Sequence, residues 1–177
     1  DFGTATPMSD GAEVATDEAF PVLDWHTLWA EPTTEEWIAE PLVPAGRLVA
    51  LYSAPKVGKS LLMLEVAVRV SRGEGLFGYP EPESPSVVLY VDFENDPRGD
   101  VRERLSAMGY GPDDLGSLRY LSFPALAALD SEEGARQLVQ VAESHGAALV
   151  VVDTISRAVR GPENENDTWL DFYRHTG

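Results

Sequence analysis

The chain has 177 residues, of which 44% are hydrophobic, and it carries a formal net charge of −17 and no cysteine. This length and composition predict one globular domain with a substantial core, and the missing cysteine excludes disulfides, thiolate metal sites and cysteine nucleophiles and is compatible with the cytoplasmic location that we predict. No run of about 18 apolar residues occurs, so no segment is predicted to span a membrane.

Acidic residues are concentrated near the N-terminus. The first 46 residues hold ten of the 30 acidic residues and no lysine or arginine, so the other 20 acids share the rest of the chain with all 13 bases. A chain with this balance does not present the basic surface that attracts nucleic acid. We interpret the charge as a contribution to solubility, and any contact with nucleic acid would need a local basic loop or a partner.

Two segments of different composition precede the main domain. Residues 1–24 are acidic with little periodicity, which predicts a flexible arm. Residues 25–46 are rich in proline and contain Trp25, Trp29 and Trp37. Because tryptophan has a large apolar area, we expect this segment to pack on the edge of the domain, and a platform for an aromatic ligand is the alternative.

Residues 47–52 form an apolar run that predicts a buried first strand, and the residues after it predict a helix over 60–72 that ends at Gly73. The loop between them fits the phosphate-loop pattern G-x-x-x-x-G-K-[ST] at every fixed position except the first, which Ser53 occupies. Because a strand is predicted before the loop and a helix after it, we favour a phosphate-binding loop over a chance Gly-Lys-Ser in a surface loop.

The residues of this loop have separate roles in binding phosphate. Gly58 lets the backbone turn without a Cβ in the way, Lys59 brings a positive charge to the β- and γ-phosphates, and the Ser60 hydroxyl is a ligand for Mg²⁺. Backbone N–H groups of the loop and of the helix N-terminus attract phosphate oxygens. The predicted nucleotide contacts are Ser53, Ala54, Pro55, Lys56, Val57, Gly58, Lys59, Ser60 and Leu61.

Three more strands are predicted over 87–93, 118–123 and 148–153. The first of these is near-continuously apolar, as a buried parallel strand should be. Helical patterns lie between the predicted strands. This alternation is typical of an α/β fold with a mostly parallel sheet, right-handed crossovers and helices on its faces. We assign residues 47–177 to this core.

The predicted helices have recognisable ends. Asp96 is expected to cap a helix that runs to Met108, and Ser131 begins the next one. Asn166 or Asp167 is expected to cap a last helix that carries several aromatic residues. The inner side of the helix after Ser131 is predicted to consist of Leu138, Val139, Val141 and Ala142.

Acidic residues stand at the ends of two predicted strands. Asp153 ends an apolar run as in a Walker B sequence, where a carboxylate binds Mg²⁺ directly or through water; an aspartate that only caps a turn is the alternative. Glu94 follows the next strand after the loop, and we predict that it is the catalytic base that orients the attacking water. Asp92 is a rival for this role, and Asp96 is interpreted as a helix cap.

Three stretches together resemble one family. Ser53–Ser60, Leu89–Asp96 and Val150–Arg157 are similar to the motifs of the RecA-like P-loop ATPases, above all to the RepA-type replicative helicase group, whose members are often labelled AAA-type ATPases. The resemblance covers about residues 37–177. It implies a RecA-like P-loop NTPase core that binds ATP and Mg²⁺ and in which Glu94 is the catalytic base.

The resemblance also implies features that the residues alone do not indicate. An arginine before a leucine in the following helix stacks on adenine in that family, which Arg104 matches loosely, with Arg98 and Arg102 as rivals. Members form hexameric rings, so a homo-oligomer is expected. The chain begins without Met and ends within a predicted helix, so we expect a fragment. The core would then be incomplete at its C-terminus, with the family's later strands, DNA-facing loops and arginine finger beyond Gly177.

Three functions are compatible with these residues. The leading one is Mg²⁺-dependent ATP hydrolysis by a RecA-like motor of DNA replication, such as a helicase, with single-stranded DNA as a partner of the full-length protein. A regulatory or assembly ATPase without helicase activity is the second. A small-molecule kinase on the same phosphate loop is the third, and no acceptor pocket or basic lid is recognisable in the sequence.

Overall fold

The computed structural model describes residues 22–30, 35–162 and 165–176. The described residues fall into two units, one before residue 35 and one from residue 35 onward. The predicted arm over residues 1–24 lies outside the described residues, except for residues 22–24, which have no regular structure. Nowhere in the described ranges is there a helix long and apolar enough to cross a bilayer.

In the first unit, the described element is the short helix α1 (Trp25–Ala30). Asp24 precedes it and accepts hydrogen bonds from the Thr27 hydroxyl at 2.8 Å and the His26 N–H at 3.0 Å, which lower the pKa of this carboxyl. Trp25 and Trp29 are 65% and 83% exposed. A helix of six residues is too short to enclose side chains of this size by itself, and the packing of this segment on the edge of the domain stays a prediction.

The second unit begins with an antiparallel hairpin of β1 (Trp37–Ala39) and β2 (Val43–Pro44), which places Ala39 and Val43 in the core. A π-helical turn over Pro97–Val101 and a 3₁₀ turn over Pro112–Leu115 lie on either side of the third helix. The other elements are α2 (Lys59–Arg72), β3 (Val88–Asp92), α3 (Arg102–Ala107), β4 (Leu118–Ser122), α4 (Glu132–His145), β5 (Leu149–Asp153), α5 (Ile155–Ala158) and α6 (Asn166–Thr176).

The strands β4, β3 and β5 form a parallel sheet in that order. Alternate residues of the central strand β3 belong to two different cores: Val88 and Tyr90 pack with α2 and α3, whereas Leu89 and Val91 pack with α4 and α6. This is why β3 is buried at every position and reads as a continuous apolar run. The α/β prediction with a parallel sheet flanked by helices is confirmed, and the RecA-like details stay a prediction.

The predicted first strand over residues 47–52 is not formed. These residues have no regular structure, and Leu48, Val49, Leu51 and Tyr52 are 46% to 67% exposed. A strand needs hydrogen bonds to a neighbour, and β4 and β5, the edge strands of the sheet, pair only with β3 among the described elements. The apolar pattern indicated residues suited to a strand but could not supply this partner.

Most predicted helix ends are confirmed. α2 ends at Gly73, whose φ of 72° suits glycine, and the Ser131 side chain accepts a hydrogen bond from the Gly134 N–H at 3.2 Å at the start of α4. Asn166 and Asp167 lie within the first turn of α6 rather than before it.

The inner side of α4 differs from its prediction at one residue. Leu138 is buried, and Val141 and Ala142 pack against the same core, whereas Val139 is 46% exposed. At 100° per residue, Val139 is rotated out of the stripe that Ala135, Leu138 and Ala142 form.

A glycine in the first turn of α4 gives a stability prediction. A Cβ on Gly134 would lie 2.2 Å from the carbonyl oxygen of Ala128 and 2.5 Å from that of Ala127. We expect Gly134→Ala to lower the free energy of unfolding by about 1–3 kcal/mol, because backbone atoms must move. Gly116→Ala is the control, since a Cβ there meets nothing within 4 Å. Urea unfolding of both variants measures the difference, and equal midpoints would contradict the prediction.

Candidate functional site

The candidate site lies where the start of α2 meets the ends of β3 and β5. The Ser60 hydroxyl donates a hydrogen bond to Asp153 Oδ1 at 3.1 Å, across 93 residues of sequence. Asp92 and Asp153 are register partners at the ends of their strands. Carboxyl ends of parallel strands form the crevice in which α/β proteins bind ligands. The structure therefore brings together the helix start and the strand end that the sequence predicted as a pair.

The loop before α2 has the backbone conformation that its sequence predicts. Gly58 caps the helix with a φ of 97°, where a side chain would be strained. Residues 53–58 are exposed, so the loop is open to a ligand. Ring contact between Tyr52 and Trp169 of α6, with centroids 5.5 Å apart, links the irregular segment before the loop to the rest of the unit.

Lys59 hydrogen-bonds to its own loop. Its Nζ donates to the Ser53 carbonyl at 2.9 Å, the Ser53 hydroxyl at 3.0 Å and the Ala54 carbonyl at 3.0 Å. The ammonium is thus held against the loop by three neutral oxygens. Ser53, the residue that departs from the usual glycine, supplies two of these three acceptors.

Asp153 is held from two sides. Its Oδ2 accepts a hydrogen bond from the Tyr90 hydroxyl at 2.8 Å, while Oδ1 faces Ser60. Burial, and then the nearby Asp153 carboxylate, raise the pKa of Tyr90 far above that of an ordinary tyrosine, so its hydroxyl stays a donor. Tyr90 was missed in the sequence because it lies in an apolar run, although it shares a strand face with Asp92.

Asp92 and Glu94 have opposite surroundings. Asp92 is 1% exposed and accepts hydrogen bonds from the Glu94 N–H at 2.7 Å, from the Asn95 N–H at 2.9 Å and side-chain amide at 3.0 Å, and from the Tyr120 hydroxyl. Glu94 is exposed. Asp92, the rival for the role of base, is thus shielded from water, whereas Glu94 is accessible to it.

The three candidate arginines differ in their contacts. Arg104 donates from Nη1 to Asn95 Oδ1 at 2.9 Å, so it is joined to the residue that follows Glu94. Arg98 and Arg102 are exposed. Asp96 caps the helical turn as predicted, since its side chain accepts from the Gly99 N–H at 2.5 Å.

The donors at the site suit Mg²⁺. Mg²⁺ prefers oxygen ligands and keeps several waters, so one or two protein ligands together with phosphate oxygens suffice. Ser60 and Asp153 supply a hydroxyl and a carboxylate at hydrogen-bond distance from each other. Within the described ranges, no cluster of three or more His, Asp or Glu residues forms an all-protein metal site.

The chain matches one family of known proteins. A family model described as an AAA domain matches residues 15–175, which includes the phosphate loop, Glu94 and Asp153. No curated protein shows significant similarity to the chain.

The buried tyrosines give a prediction about pH. Burial raises the pKa of Tyr90 and Tyr120, and each is further raised by the aspartate that it contacts. Since an unfolded tyrosine ionises near pH 10, the unfolded chain releases these protons first, and the free energy of unfolding should fall as pH rises above about 10.

The measurement is absorbance at 295 nm during an alkaline titration, alongside unfolding at each pH. We expect the folded Tyr90→Phe variant to show the same absorbance change as the folded parent. The contribution of Tyr90 should appear only when the parent unfolds. The unfolded Tyr90→Phe variant is the control, because it should lose one of the six tyrosine contributions that the unfolded parent shows. A smaller folded-state change in Tyr90→Phe would contradict the prediction.

Proposed function

Since the chain belongs to the AAA domain family, which indicates nucleotide-dependent ATPase activity, we propose that it binds ATP with Mg²⁺ and hydrolyses it as a RecA-like motor of the helicase type in DNA replication. The hydrogen bond between Ser60 and Asp153 carries the proposal, because it joins the phosphate loop to the carboxylate of the Walker B-like strand. An accidental Gly-Lys-Ser would have no reason to lie against the end of a buried parallel strand.

Each side chain has a role that its position supports. Lys59 exchanges the loop oxygens for phosphate oxygens and, with the loop N–H groups, stabilises charge on the transferring phosphoryl group. Ser60 and Asp153 would hold Mg²⁺, which when bound neutralises charge on the phosphates. Glu94, accessible at the end of β3, orients the attacking water and accepts its proton. The role assigned to Arg104, stacking on the adenine ring, rests on the family resemblance alone.

The partners in this proposal follow from the family. AAA domains often oligomerise, and we propose that this protein forms a hexameric ring in the cytoplasm. Because the net charge is −17, single-stranded DNA would be bound by local loops rather than by the overall field.

One observation favours the second function, an assembly ATPase. Trp25 and Trp29 lie four residues apart on α1 and are both largely exposed. Exposed tryptophans within an acidic segment suit a docking element for a partner protein. Such a protein would bind and hydrolyse ATP without stimulation by DNA.

Lys59→Ala tests nucleotide binding. We expect the affinity for a fluorescent ATP analogue to fall at least tenfold, about 1.4 kcal/mol or more, because one charge-assisted contact to the phosphates is lost. Arg136→Ala is the control, since it removes one positive charge from an exposed ion pair with Glu133 on α4. Unchanged affinity in Lys59→Ala would remove the phosphate-loop assignment.

Glu94→Gln tests hydrolysis. We expect ATP to bind with parental affinity while kcat falls about 10²–10⁴-fold, the usual contribution of a general base. Phosphate release is measured with and without single-stranded DNA. Glu103→Gln, an exposed glutamate of α3, is the matched control.

The outcomes separate the functions. Turnover that DNA stimulates and Glu94→Gln lacks would support the motor. Turnover that ignores DNA would support the assembly ATPase. Parental hydrolysis in Glu94→Gln would show that Glu94 is not the base.

A further inference from the structure

A buried carboxylate at the end of β3 has no role in the chemistry described so far. Asp92 is 1% exposed, yet four donor groups surround it: two backbone N–H groups, the Asn95 amide and the Tyr120 hydroxyl. Burying a carboxylate is unfavourable unless it is hydrogen-bonded. An apolar residue at this strand end would avoid the desolvation free energy of a buried charge. The best explanation for a carboxylate here is therefore the hydrogen bonds that it accepts.

Those groups belong to the loop that carries Glu94. The N–H groups of Glu94 and Asn95 both point to Asp92 Oδ1, at 2.7 and 2.9 Å. Hydrogen bonds to a charged acceptor are stronger than those between neutral groups. Because the Glu94 side chain is exposed, packing cannot fix its position, and the backbone beneath it must do so.

The same carboxylate connects neighbouring elements. Tyr120 of β4 reaches Asp92, and its ring stacks on Tyr90 with centroids 5.1 Å apart; Tyr90 in turn donates to Asp153 of β5. On the other side, Asn95 accepts from Arg104 of α3. Asp92 therefore links the loop of the predicted base to the strand that ends in the predicted metal ligand.

We propose that Asp92 is a positioning residue that holds the backbone of Glu94 and Asn95 in place, so that the Glu94 carboxylate stands at a fixed position after the end of β3. This inference rests on the proposed function in one respect: Glu94 must be the catalytic base if its position is to affect hydrolysis. It does not give Asp92 any contact with nucleotide or water.

Asp92→Asn in the full chain tests the proposal. The amide keeps the shape of the carboxylate but loses its charge and one acceptor oxygen. We expect amide hydrogen exchange at Glu94 and Asn95 to accelerate about tenfold or more, and kcat for ATP to fall up to about 10²-fold, as small displacements of catalytic groups do. The affinity for the ATP analogue should stay within about threefold of the parent, a change of less than 1 kcal/mol.

Asp96→Asn is the matched control. It makes the same chemical change four residues along the same segment, at an exposed cap where asparagine serves equally well. We expect parental exchange at Glu94 and Asn95 and parental kcat. If Asp92→Asn does not fold, Tyr120→Phe and Asn95→Ala each remove one partner of Asp92 without placing a new group in the buried site, and they should show smaller changes in the same direction.

Two results would overturn the proposal. One is parental exchange at Glu94 and Asn95 in a folded Asp92→Asn variant. The other is a loss of nucleotide affinity in proportion to kcat, which would indicate general damage to the fold rather than misplacement of Glu94. If the parent hydrolyses no nucleotide, the proposed function fails, whereas the exchange measurement still decides whether Asp92 holds this loop.

Discussion

The arrangement of this site depends on the two hydrogen bonds that the Asp153 carboxylate accepts. One oxygen accepts from Ser60 at the start of α2 and the other from Tyr90 in β3, so a single side chain fixes a helix, the central strand and an edge strand relative to one another. Loss of either donor would leave one Asp153 oxygen without its partner, so the positions of the three elements depend on one another. The phosphate loop is placed by this contact rather than by a strand of its own, because residues 47–52 have no regular structure.

The parts of the fold that could be predicted are those that local chemistry determines. β3 and β5 were recognisable as apolar runs, and of these β3 is buried at every position. β4 carries polar residues and is only partly buried. The helix boundaries at Asp96, Ser131 and Gly73 were recognisable because caps require particular side chains or a positive φ. The prediction of a strand over 47–52 was wrong because a strand needs a hydrogen-bonded neighbour, and the local sequence does not show which distant segment will supply one. For the tryptophans of α1, apolar area alone does not specify what covers it, so their packing on the domain edge stays a prediction.

The site could be predicted only in part, for a related reason. Lys59, Ser60, Asp153 and Glu94 stand at motif positions whose chemistry is visible in the sequence. Tyr90 donates a hydrogen bond to Asp153, and Tyr120 and Asn95 donate to Asp92. All three look like ordinary core or loop residues in the sequence. Their role follows from side-chain alternation and strand register, which only a known strand order supplies.

The contacts of Lys59 have a consequence for which ligands the loop selects. The Lys59 ammonium already donates to oxygens of Ser53 and Ala54. A ligand that binds this ammonium must therefore replace those oxygens with its own. Neutral oxygens are exchanged for anionic ones, which form roughly twofold stronger hydrogen bonds. In the proposed nucleotide-binding role, the gain would grow with the charge of the incoming group. The loop would then discriminate a polyphosphate from a single phosphate or a sugar hydroxyl by charge alone, before any contact with a base.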